Sequence, residues 1–148
     1  MGNWFKKLVI GEDYLTRWHI IPRNKWFNIY LHKFVGSDDD RALHDHPWWS
    51  VSFKLWGDQL IELAEDERGF DEDGNLFYID LYRYIHPLWP YFRSATQMHR
   101  MILEGDSAWT LFITGPRVRD WGFRVTPKDG GDEDGWMHYQ EFISIHGD

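Results

Sequence analysis

The stretch Leu43-His44-Asp45-His46-Pro47-Trp48-Trp49 decides how this chain is read. Two histidines one residue apart point to the same side of an extended segment, because strand side chains alternate with period 2. Such a pair offers two imidazole nitrogens to one ion, and imidazole suits iron, zinc, copper and nickel. A third imidazole from a neighbouring strand would complete one face of a coordination sphere and leave other positions open. His99, in Gln97-Met98-His99-Arg100, is the candidate third ligand. With eight histidines in 148 residues an H-x-H pair arises easily by chance, so the weight falls on what surrounds it.

Downstream, residues 48–56 and 59–65 read as two strands about a Gly57-Asp58 turn. Residues 66–75 form a polar, glycine-bearing loop, and 76–85 resume strand character. His86-Pro87-Leu88-Trp89-Pro90 is a crossing loop, since proline has no donor for a ladder. Residues 97–103, 108–114 and 121–126 are short strands separated by Glu104-Gly105-Asp106-Ser107 and Gly115-Pro116-Arg117, and 129–135 is a loop. The tail 136–146 reads as either a helix or an edge strand. Upstream, 14–21 and 26–35 are strands about the turn Pro22-Arg23-Asn24-Lys25, and the acidic run Ser37-Asp38-Asp39-Asp40 is a solvated connection. Trp4, Phe5, Leu8 and Val9 recur at helical spacing behind Asn3, which predicts a short N-terminal helix ended by Gly11. Many short strands with regular turns indicate an all-β barrel or sandwich, and the length fits a single domain over 1–148.

Composition narrows the function. The net charge of −8, with a pI near 5.4, repels phosphate backbones and anionic membranes, so neither nucleic acid nor a membrane is the expected partner. The absence of cysteine excludes disulfides, thiolate ligands and a cysteine nucleophile. Any metal must be held by His, Asp, Glu, backbone oxygen or water. The first ten residues lack a continuous apolar core and a small-residue cleavage site, and no apolar stretch is long enough to span a bilayer, so a cytoplasmic location is expected.

The spacing His44-x-His46, three residues to Ser50 and then six to Gly57 resembles the first motif of the cupin superfamily. More narrowly the chain is similar to bacterial and phage cupin-like proteins with a His-Asp-His-Pro-Trp run. The shared segments are Tyr14-Leu15-Thr16-Arg17-Trp18, Ile29-Tyr30-Leu31-His32, Ser37 through Trp48, His99-Arg100, Trp109-Thr110-Leu111 and Trp121-Gly122-Phe123. The resemblance implies a small jelly-roll β-barrel and, by analogy with other cupins, a homodimer. It also departs from the superfamily pattern. Ser50 stands where a ligand glutamate is usual, Gly36 lies two residues too far from His44, and Ser94, Thr96 and Leu103 replace the Pro, Gly and Asn of the second motif. What remains is a three-histidine set, His44, His46 and His99, similar to that of the thiol dioxygenases.

Three neutral imidazoles leave the charge of a divalent cation uncancelled, which favours anionic or chelating ligands. Iron(II) is the expected metal, since its open positions accept substrate and O₂ together. Zinc with an activated water follows, with nickel and manganese as further candidates. Arg17, Arg100, Arg117 and Arg119 are candidate anion clamps, although Arg100 should face away from the cavity. Trp48, Trp49, Trp109 and Trp121 are candidates for an aromatic wall, and His32 is the strongest of the remaining histidines, ahead of His86 and His138. The substrate-contacting set is therefore His32, Arg119, Trp121 and Trp49. Asp45, between two ligands, should face the other way. The expected function is a metal-dependent cupin enzyme, a non-haem iron dioxygenase acting on a small anionic metabolite. A non-catalytic ligand-binding or sensing cupin and a metal-free sugar isomerase or epimerase are the alternatives.

Overall fold

A computed structural model describes residues 4–10, 14–36 and 42–146. Nine strands run in chain order: β1 Lys6–Ile10, β2 Leu15–His19, β3 Asn28–Phe34, β4 Ser50–Phe70, β5 Leu76–Tyr84, β6 Tyr91–Arg93, β7 His99–Thr114, β8 Gly122–Arg124 and β9 Trp136–His138. The α-helix α1, Tyr139–His146, ends the described chain. Seven strands form one sheet in the order β1-β2-β3-β7-β4-β5, with β6 also paired to β4, while β8 and β9 form a second, two-stranded sheet. Every pairing between these strands is antiparallel. The described chain is mostly β, built of antiparallel sheets, with its α-helix at the C-terminal end. Among the described residues no helix is long and apolar enough to cross a membrane.

The predicted N-terminal helix is not formed. Residues 6–10 instead pair one for one with β2, from Lys6 opposite His19 to Ile10 opposite Leu15. A helix this short is marginal without a face to bury, and Trp4, Phe5, Leu8 and Val9 are all exposed. The open edge of β2 supplies hydrogen-bond partners for the backbone groups of this segment that face it, and pairing wins. The expected stop at Gly11 and the acidic run at 37–40 lie outside the described residues. The ambiguous tail resolves into both alternatives in succession, with β9 handing over directly to α1. Phe142 of the helix stacks on Phe123 of β8 at 3.9 Å between ring centroids, which anchors the helix to the small sheet.

The two turns expected at 57–58 and 104–107 are not turns. They face each other within the β4–β7 ladder, with Gly57 opposite Ala108 and Gln59 opposite Glu104, so both long strands deform together and continue. Gly57 makes this deformation with φ +109°, and a Cβ there would stand 2.6 Å from the Ser107 carbonyl oxygen and 2.7 Å from the Ala108 Cα. Asp58 closes the opposite bulge, its Oδ2 accepting the N–H groups of Asp106 at 2.6 Å and Ser107 at 3.1 Å. The loop expected over 66–75 is shorter than anticipated, because β4 persists to Phe70 before the turn into β5.

The main core cluster contains Leu15, Phe34, Leu60, Ile85, Met101 and Ala108. Several of these side chains also line a cavity of about 720 Å³ on the same side of the large sheet. The cavity is therefore an unfilled extension of the core, walled by the alternate residues of β2, β3, β4 and β7 that face inward.

Candidate metal centre and cavity

His44 is held by backbone bonds. Its N–H donates to the His99 carbonyl and the His99 N–H donates back to the His44 carbonyl, each at 3.0 Å. The two residues are thus directly opposed and present their side chains on one face. On the other side His44 also bridges to Phe123 of β8. Alternation then places His46 on the same side as His44. The three ring centroids form a nearly equilateral triangle, with sides of 5.1, 5.1 and 5.0 Å. One ligand nitrogen from each ring lies within 4.8 Å of the others, a cluster that could hold a metal ion. His46 Nε2 and His99 Nε2 are 2.8 Å apart.

The chemistry of the donors fits a cation. Burial lowers both His46 and His99 below the ordinary imidazole range; for His46 the neighbouring histidines add to the effect, and for His99 the bond to Glu62 opposes it. Neutral rings keep the lone pairs that a metal requires. His99 Nδ1 lies 2.7 Å from Glu62 Oε2. Burial alone would raise the Glu62 carboxyl, but the hydrogen bond from His99 and the charge of Arg93 outweigh it and hold the group well below the usual carboxylate range. A carboxylate can only accept, so His99 carries its proton on Nδ1 and turns the Nε2 lone pair toward His46. Glu62 is fully buried, and Arg93 and Arg83 also donate to it. Arg93 is fixed in turn by Ser52 Oγ at 2.7 Å.

Asp45 faces away from the cluster. Its Oδ1 accepts the Gly122 N–H at 2.7 Å and its Oδ2 accepts the Trp136 indole N–H at 3.1 Å and pairs with Arg119 at 2.8 Å. Burial raises its carboxyl, opposed by the Gly122 N–H and by Arg119. These bonds tie the His-Asp-His segment to the small sheet from behind.

The substrate-contacting candidates divide. His32 and Trp121 line the cavity with the three histidines. Trp121 is backed by Tyr139 of α1, stacked at 4.7 Å. Arg119 and Trp49 lie elsewhere. Arg119 precedes β8, so strand parity with Trp121 does not extend to it, and its guanidinium bonds Asp45 and the His46 carbonyl. Trp49 is exposed and stacks on Phe92 of β6, while its neighbour Trp48 turns inward and stacks on His46 at 4.8 Å with planes 10° apart. Trp109 lies between Trp18 and Trp56, stacked on both and outside the cavity. His86 and His138 do not line the cavity.

Two residues of this site escaped the sequence reading, Glu62 and Arg93. Glu62 left a trace, being an acid inside the apolar run Leu60-Ile61-Glu62-Leu63 and on the same alternating face as the fully buried Leu60. Arg93, in Tyr91-Phe92-Arg93, left none.

No family model and no curated protein sequence matches the chain. Solved structures do match its fold. The iron(II) form of HppE superposes with a TM-score of 0.53 at 13% identity, over 74% of this chain and 55% of that one. KdgF from a Halomonas species gives 0.53 at 12% identity over 78% and 95% of the two chains. An RmlC-like cupin from Shewanella frigidimarina gives 0.53 at 14% over 76% and 84%. The match spans only about half the length of HppE. The fold of this chain is cupin-like, and the fold carries a three-histidine cluster that could bind a metal.

Proposed function

We propose that the protein is a metal-dependent cupin enzyme. In this reading His44, His46 and His99 hold one divalent ion, iron(II) before zinc, nickel or manganese, and the substrate is a small anionic metabolite transformed by non-haem iron dioxygenase chemistry. The supporting observation is the convergence of three imidazoles from distant parts of the chain on the wall of a cavity large enough for a metabolite. When bound, iron(II) supplies open coordination positions at which substrate and O₂ meet. The chain's own contribution is to fix the donors and shape the space. Glu62 sets the tautomer of His99, the backbone pairing of His44 with His99 sets their separation, and Trp48 and Trp121 form apolar wall beside the histidines.

Metal analysis of protein purified without a histidine tag tests this reading. About one equivalent of transition metal is expected after reconstitution, with His99→Ala folded but unable to retain it; less than about a tenth of an equivalent in the wild type would end it. A second reading, a cupin that binds a ligand without turnover, draws on one feature. Among the described residues no Asp or Glu lines the cavity, so no carboxylate there is placed as an acid or base. Ligand binding without O₂ uptake by the metal-loaded protein would select it.

A further inference from the structure

The cavity is unusual for its charge. The chain carries a net −8, yet the charged residues lining the cavity are Lys6, Arg17, Arg23, Arg93 and Arg117, with no acid among the described residues. Two of these cations are already matched: Arg93 is neutralised by Glu62, and Arg117 pairs with Asp120 at 2.8 Å. Lys6 and Arg23 are exposed at the surface. Arg17 is the cation that is both partly buried and without a carboxylate among the described residues.

We propose that Arg17 is the anion-binding residue of the cavity, its guanidinium receiving the oxyanion group, carboxylate or phosphoryl, of a ligand whose other end faces the three histidines. The inference rests on reading the cavity as the substrate site of the metal centre.

The position of Arg17 is set by its neighbours. Its Nε donates to His32 Nε2 at 3.0 Å, and its guanidinium carbon lies 4.2 Å from the centre of the Tyr30 ring. The Tyr30 ring bears on its carbon and the His32 bond fixes its Nε, so the group is oriented before a ligand arrives. The two terminal nitrogens make no hydrogen bond within the described residues. They are the half of the guanidinium that takes a carboxylate or phosphoryl bidentately. A partly buried cation whose nearest bonded partner is a neutral imidazole retains its charge at a desolvation cost, and an anionic ligand recovers that cost. Arg17, His32 and Thr110 lie directly across three adjacent strands, β2, β3 and β7. All three line the cavity, so a second polar group of the ligand would meet His32 or Thr110 beside the clamp. From there to the metal cluster is a short aromatic path: the His32 and Phe112 ring centroids are 5.0 Å apart, and those of Phe112 and His46 6.4 Å. One small molecule can therefore touch both ends.

The test is anion binding by the metal-free full-length protein at low salt, by calorimetric titration with succinate and, separately, inorganic phosphate. Saturable binding of at least one probe is expected, and whichever binds tighter assigns the head group as carboxylate or phosphoryl. Arg17→Met should weaken that binding roughly tenfold or more, while metal uptake stays at the wild-type level. Arg17→Lys keeps the charge but loses the fork and should show a smaller loss; if Arg17→Met does not fold, wild-type affinity in Arg17→Lys counts against the proposal. Failure of both probes to bind, or wild-type affinity in Arg17→Met, would each overturn it. Failure of the metal reading would show separately, as absent metal uptake in a protein that still binds the anion.

Discussion

Replacing Glu62 by Gln changes almost no volume and removes one charge from the centre of a buried network. Three groups are affected. Arg93, whose side chain is 3% exposed, loses its counter-ion, the Ser52 hydroxyl being its other partner. Arg83 is 45% exposed at its side chain, so water compensates most of its loss. His99 loses the carboxylate, an obligate acceptor, that fixed its proton on Nδ1. Breaking a buried pair from one side costs about 3–5 kcal/mol, and here nearly all of it falls on Arg93. Urea denaturation of the metal-free protein reads this directly, as a lower midpoint at unchanged slope. A second effect falls on the metal. If the glutamine amide turns its NH₂ toward His99, the ring must accept at Nδ1 and carry its proton on Nε2, where it no longer ligates; loss of such a supporting contact weakens metal affinity about 10–100-fold. Competition titration against a chelator measures that. A stability change below about 1 kcal/mol would show that Arg93 is not held by this charge, and unchanged metal affinity would separate Glu62 from the histidine cluster.

Gly57→Ala forces a side chain onto a φ of +109° and against the backbone of Ser107 and Ala108, so a loss of about 1–3 kcal/mol in urea is expected and a shift below about 0.5 would refute the strain. For His32, burial and then the charge of Arg17 hold the folded-state ring well below its usual pKa. Below about pH 6.5 the unfolded chain therefore takes up a proton that the folded protein refuses, and stability falls as pH falls, by up to about 1.4 kcal/mol per pH unit from this residue. His32→Gln should flatten the urea-derived stability profile between pH 6 and 4.5 by about that slope, and an identical profile in the variant would contradict it. Phe142→Ala removes the ring stacked on Phe123 and should cost about 3 kcal/mol, with the helix signal lost by circular dichroism; full retention of α1 would show that the stack does not anchor it.

What could be read in the sequence was what strand alternation and local turn chemistry control. The period-2 rule put His44 and His46 on one face and Asp45 on the other, and it predicts His99, Met101 and Leu103 on one inward face; His99 and Met101 line the cavity, while Leu103 packs against the core cluster beside it. The rule failed where partners are remote. Gly57-Asp58 and Glu104-Gly105-Asp106-Ser107 carry ordinary turn residues, and only their mutual alignment across the ladder converts them into a shared bulge. The pattern at Trp4, Phe5, Leu8 and Val9 is helical, but the free edge of β2 decides the matter. Trp48 and Trp49 cannot be told apart by type; the inward turn of one and the outward stacking of the other depend on β6 and on the chain after His46. Arg93 reaches Glu62 across 31 residues of sequence, a distance at which no local pattern operates.

The His-Asp-His segment also explains why site and fold stand together. Residues 43–46 lie on the seam between the two sheets: His44 exchanges both backbone bonds with His99 of β7, while Asp45 N–H donates to the Gly122 carbonyl and Arg124 N–H to the Leu43 carbonyl. The two faces of this short segment have separate tasks. Leu43 packs with Leu63 and Met98, and Asp45 anchors Gly122, Trp136 and Arg119, all behind the segment. His44 and His46 face the cavity. A slip of one residue would put Leu43 and Asp45 into the cavity and bury two imidazoles without partners, at the cost of every one of those contacts. The packing that closes the seam is therefore what fixes the direction of the imidazoles, and their convergence with His99 needs no ion to impose it.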